Sequence, residues 1–67
     1  MKKNIELKKF RISKELNFEK ISSMIGVSES FYRKIESGER GTSYNFISKF
    51  REVFPKANID EIFFSRS

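Results

Sequence analysis

The sequence predicts an all-α fold, a compact bundle of five short helices forming one domain over residues 1–67. Two observations predict it. Apolar residues recur at spacings of three and four, and no stretch alternates convincingly with a period of two. The breaks in that pattern fall at Gly26, Gly38, Gly41 and Pro55, which mark where helices stop.

The first segment runs from about Asn4 to Glu15, with Asn4 as a helix cap, Leu7 and Phe10 on one face, and Leu16 closing into the next element. The second, Phe18 to Ile25, places Ile21, Met24 and Ile25 together and ends at Gly26, where a tight turn favours positive φ. Ser28 caps a third helix, Glu29 complements its dipole, Tyr32 and Ile35 form its inner edge, and Gly38 stops it. Thr42 or Ser43 caps a fourth helix carrying Phe46, Ile47, Phe50, Val53 and Phe54, which Pro55 ends. A last helix in "NIDEIFF" starts around Ile59 or Asp60 and supplies Ile62 and Phe63.

Composition narrows the function. A chain of 67 residues is near the lower size at which one apolar core holds a fold, and it leaves little room for a deep cleft. There is no histidine and no cysteine, which removes the commonest general base and the usual zinc ligands. There is also no paired-carboxylate cleft and no phosphate-binding glycine motif, so an enzyme is the weakest reading. No metal, cofactor or small-molecule substrate is expected. The longest apolar runs are two or three residues, too short for a membrane span, and "MKKNIELKK" lacks the apolar block of a signal peptide. Without disulfides, a reducing bacterial cytoplasm is the expected setting.

The net charge of +5 suits a polyanionic partner, although a merely soluble surface has the same balance. The excess is concentrated in residues 1–20, where seven Lys and Arg face three Glu, a net +4.

Residues 18–38 spell a helix, a glycine-containing turn and a second short helix, the arrangement of a helix-turn-helix. The second helix of such a unit can lie in the major groove of double-stranded DNA, fixed from behind and polar in front. Ile21, Ser22, Ile25, Gly26, Val27, Tyr32 and Ile35, followed by "KIESGER", carry a further resemblance. The sequence resembles the lambda-repressor-like (Cro/repressor-type) helix-turn-helix family of phage and bacterial regulators, from Leu7 to Phe63. Two departures stand out. The family commonly has glutamine where this chain has Phe18, and proline before helix four where this chain has Thr42.

The resemblance implies base-edge contacts at Glu29, Ser30 and Lys34, with Arg33 reaching a base or a phosphate. It places backbone contacts at Lys20, Ser22, Ser37, Arg40 and Tyr44, where Gly38 and Gly41 let loop amides come close to phosphates. It also implies a structural ion pair between Arg11 and Glu36. Phe31 is expected at the core rim rather than on a thymine methyl. Self-association is expected through Ile59, Ile62, Phe63 and Phe64, because that segment holds more apolar bulk than a small core absorbs. The leading expectation is a dimeric repressor of phage or mobile-element type on an inverted-repeat operator. The alternatives are an antitoxin, or a protein–protein adaptor that keeps the fold.

Overall fold

The computed structural model describes residues 4–64; Lys2 and Lys3, part of the basic N-terminal excess, lie outside them. Five helices follow in order: α1 Ile5–Ser13, α2 Phe18–Ile25, α3 Glu29–Ser37, α4 Tyr44–Val53 and α5 Ile59–Phe63.

Each helix begins with a side chain that accepts a hydrogen bond from an otherwise unpaired backbone N–H of the first turn. Asn4, Asn17, Ser28, Ser43 and Asn58 do this for α1 to α5 in turn, through the amides of Leu7, Lys20, Phe31, Phe46 and Glu61. Of the two cap candidates for α4, Ser43 is the one used. The stops are as local. Gly26 and Gly38 adopt φ of 92° and 87°, and each returns its N–H to a carbonyl of the helix it closes.

The end of α1 differs from the sequence expectation. The helix stops at Ser13, and Glu15 takes the left-handed conformation at φ 57°, allowing the Leu16 N–H to reach the Arg11 carbonyl at 3.2 Å. A side chain at positive φ crowds its own carbonyl, so this turn is strained in a way that a glycine would not be.

The five helices bury one shared cluster: Leu7 from α1, Ile21 and Ile25 from α2, Tyr32 and Ile35 from α3, Phe46 and Phe50 from α4, and Ile62 from α5. Aromatic rings run through it and pack around it. Phe50 meets Phe10, Phe46, Phe54 and Phe63 at centroid separations of 5.0–6.4 Å, distances at which tilted and edge-on pairs attract. Truncating Phe50 to alanine should cost about 3–5 kcal/mol, a large part of what a chain of this size holds. Met24, expected inside, is exposed instead. α2 is buried along its Ile21, Ser22 and Ile25 edge, and Met24 falls on the shoulder of that edge.

The C-terminal apolar segment is absorbed more fully than its composition suggested. Ile62 is 6% exposed, and Phe63 packs edge-on against Phe46 and Phe50. Ile62 therefore belongs to its own chain's core, which corrects the expectation that it lies at a self-association surface, and Phe63 is partly buried against that core. Ile59 is half-buried against the same cluster, whereas Phe64 keeps 61% of its surface exposed. A five-residue helix has almost no stability alone, so these contacts are what hold α5 in place.

Candidate nucleic-acid interface

α3 is built to be held from behind. Its inner face carries Tyr32 and Ile35, both almost fully buried, and Val27 and Phe31 pack partly against the same core. At its C-terminal end Glu36 is 7% exposed and receives two hydrogen bonds from Arg11 of α1, Nε at 2.9 Å and Nη2 at 3.0 Å. The fork is bidentate, the geometry in which a guanidinium and a carboxylate fit best. Arg11 also donates from Nη1 to the Leu16 carbonyl at 3.0 Å, so one side chain fastens α1, the turn after it and α3. The bond to Glu36 raises the Arg11 pKa above its ordinary value against the opposing effect of burial. A backbone bond from the Asn4 N–H to the Glu36 carbonyl, at 3.0 Å, ties the start of α1 to the same turn.

The Tyr32 hydroxyl is buried beside this pair with no partner at hydrogen-bonding geometry. Burial, and then the Glu36 carboxylate, push its pKa upward, so the phenol stays neutral.

The opposite face of α3 is free. Glu29, Ser30, Arg33 and Lys34 are all exposed, at spacings that put Glu29 with Arg33 and Ser30 with Lys34. Arg33 Nη1 meets Glu29 Oε2 at 3.4 Å, an exposed contact that contributes little stability but orients both groups. Residues 21–40 sum to zero charge, yet Glu36 is withdrawn into the fork with Arg11. The exposed charges of this segment are Arg33, Lys34 and Arg40 against Glu29 and Glu39, a net +1.

The expected backbone-contact residues divide. Lys20 and Arg40 are exposed, and Tyr44, the first residue of α4, is 83% exposed. Ser37 is half-buried, its hydroxyl shared between the Lys34 carbonyl and the Glu39 carboxylate at 3.1 Å each. Ser22 is a correction: it is buried, and its hydroxyl donates to the Glu19 carbonyl at 3.1 Å. It is the small residue that lets α2 pack closely, and its side chain does not reach the surface. Phe31 lies at the core rim, 6.2 Å from Phe46, and the Arg40 guanidinium sits 4.7 Å above its ring.

The start of α2 holds something the sequence did not disclose. Phe18 lies under two guanidiniums, with Arg11 at 4.3 Å and Arg33 at 5.0 Å from the ring centroid. The signal was present as an aromatic in place of the family's polar residue, but its partners come from two other helices. Spacing along the chain does not show that meeting.

Two helices are thus joined through a left-handed glycine, the second locked inward and polar outward, which is the geometry of a helix-turn-helix. A family model for the helix-turn-helix matches residues 7–62. The chain belongs to the helix-turn-helix family. The match is of the Cro/C1 type and makes this helix-turn-helix protein a DNA-binding regulator in the general sense, in a family that is typically non-enzymatic. Comparison with curated proteins and with solved structures gives no match. Among the described residues no group of acidic side chains is arranged to hold a metal, and no helix is long and apolar enough to cross a membrane.

Proposed function

We propose that the helix-turn-helix protein is a sequence-specific repressor that binds an inverted-repeat operator as a homodimer, with α3 in the major groove. The observation that carries the reading is the two-sided construction of α3. Tyr32, Ile35 and the Arg11–Glu36 fork fix its inner side, while Glu29, Ser30, Arg33 and Lys34 stand exposed on the other. Of these, Glu29 can accept from a cytosine amino group, Lys34 and Arg33 can donate to guanine O6 and N7, and Ser30 can pair with several bases. Lys20, Arg40, Tyr44 and the Ser37 turn flank the groove as backbone contacts, which position the helix without reading sequence.

Size supports the use of two copies. The described residues extend at most 28 Å, whereas successive major-groove faces are about 34 Å apart. One copy therefore covers one half-site, and two copies related by a two-fold axis read an inverted repeat. Phe64 supplies the exposed apolar contact for the pairing, with the half-buried Ile59 at the other end of α5.

The test is selection of duplexes from a random pool, followed by fluorescence anisotropy on the selected and a scrambled duplex at several salt concentrations. Preferential binding to an inverted repeat, two chains per duplex, is the expected result. Equal weak binding to both duplexes would remove the claim of specificity. No binding at low salt would turn the outer face of α3 toward a protein partner.

A further inference from the structure

We propose that Phe18 is a specificity-determining positioning residue: its ring sets the orientation of the Arg33 guanidinium that reads a guanine. The proposal rests on the DNA-binding reading above and goes beyond it by assigning a role to a residue with no direct base contact. Phe18 is half-buried at the first position of α2, packed on the core beside Tyr32, so its ring is itself fixed. The Arg33 guanidinium lies 5.0 Å from the ring centroid, and its Nη1 is held by Glu29 one helical turn earlier. Ring and carboxylate act in different ways. The ring offers its π surface to the cation, whereas the carboxylate takes up an N–H donor, of which the guanidinium has five. The ring therefore restrains where the guanidinium lies, and Glu29 takes one of its donors. The remaining donors belong to a side chain that is 59% exposed and suit a bidentate contact to guanine O6 and N7.

An unsupported arginine on an exposed helix loses rotamer freedom when it binds a base. A guanidinium already held against a ring and tethered to a carboxylate loses less, so the preference for guanine over other bases is sharper. Arg11 shares the same ring at 4.3 Å, but its donors are committed to Glu36 and the Leu16 carbonyl. Arg33 is the one of the two with donors to spare.

The experiment compares base-preference profiles for wild type, Phe18→Leu, Phe18→Tyr, Arg33→Ala and the Phe18→Leu/Arg33→Ala pair. Each variant is first shown by circular dichroism to be folded at the assay temperature. Leucine keeps the apolar packing and removes the π face, whereas tyrosine keeps both. Arg33→Ala should lose on the order of tenfold in guanine preference at one base pair of each half-site. Phe18→Leu should lose about two- to five-fold at that same pair, and Phe18→Tyr should retain the wild-type profile. In the Arg33→Ala background Phe18→Leu should change nothing further. A Phe18→Leu profile identical to wild type overturns the inference, and so does a shift of equal size with Arg33 absent. A wild-type chain that selects no sequence overturns the DNA reading and the inference together. A selective wild type with an indifferent Phe18 overturns the inference alone.

Discussion

Replacing Arg11 with alanine leaves a carboxylate in a place built for a pair. Glu36 is 7% exposed and loses both of its charge-assisted bonds, the Leu16 carbonyl loses a donor, and Phe18 loses the guanidinium above it. Removing one partner of a buried ion pair typically costs about 3–5 kcal/mol, because the charge left behind is neither solvated nor matched. Arg11 is itself 12% exposed, so water reaches the site, and a loss near the lower end, about 3 kcal/mol, is expected. A chain of 67 residues holds about 3–10 kcal/mol in total, so the variant sits close to its unfolding threshold. At about 4–8 °C per kcal/mol for a domain of this size, the thermal midpoint should fall by more than about 10 °C. Circular dichroism at the helix band, followed through heat and urea, measures it. A midpoint within about 4 °C of wild type would refute the reasoning. The double variant Arg11→Met/Glu36→Leu tests the cause, because it removes both charges and keeps apolar volume. It should recover much of the loss. If it is as unstable as Arg11→Ala, the missing stability belongs to packing on Phe18 and not to a stranded charge.

Tyr32→Phe removes a buried hydroxyl that has no hydrogen-bond partner, so stability at neutral pH should be unchanged or higher by up to about 1 kcal/mol. The folded pKa of Tyr32 is raised above the unfolded value of 10.0. Above that pH the unfolded chain releases a proton that the folded chain keeps. Wild-type stability should therefore fall above about pH 10 more steeply than that of Tyr32→Phe, by up to about 1.4 kcal/mol per pH unit in urea titrations. Glu15→Gly relieves the left-handed strain at the end of α1 and should raise the urea midpoint, a gain of about 0.5–1 kcal/mol. A drop would show that the extra freedom of glycine in the unfolded chain outweighs the strain. Gly41 has no positive φ and open space where a Cβ would stand, so Gly41→Ala should hold or slightly raise the melting temperature. If the loop meets phosphates closely, that same variant loses DNA affinity without losing stability. Arg40→Ala should weaken binding to all duplexes alike and lower the slope of log affinity against log salt by about 1. A change in sequence preference with an unchanged slope would contradict a phosphate role.

What could be read in the sequence was local chemistry. Ser28 before a charged first turn, and Gly26 and Gly38 after apolar anchors, place both helices of the motif within one residue, because caps act on amides three or four positions away. Fold class follows from the same spacing. The misjudged residues depend on where helices meet. Met24 and Ser22 are two apart on one helix, and only the arrival of α3 and α4 decides which of them is covered. Ile62 and Phe64 differ as well: the segment offers a surplus of apolar side chains, and the core absorbs one and leaves the other out. The Arg11–Glu36 fork came from family resemblance, since 25 residues separate its partners. The stack on Phe18 had no counterpart to resemble, and the strained Glu15 lacks the glycine that usually announces such a turn.

The two tyrosines are placed so differently that they make the chain its own spectroscopic instrument. There is no tryptophan, so emission excited near 280 nm comes from Tyr32 and Tyr44 alone. A dissolved quencher reaches Tyr44, at the exposed head of α4, and is kept from Tyr32 by the core around it. In one unlabelled sample, the quenchable fraction of the light reports on the surface at the head of α4, and the shielded fraction shows whether the fold is intact.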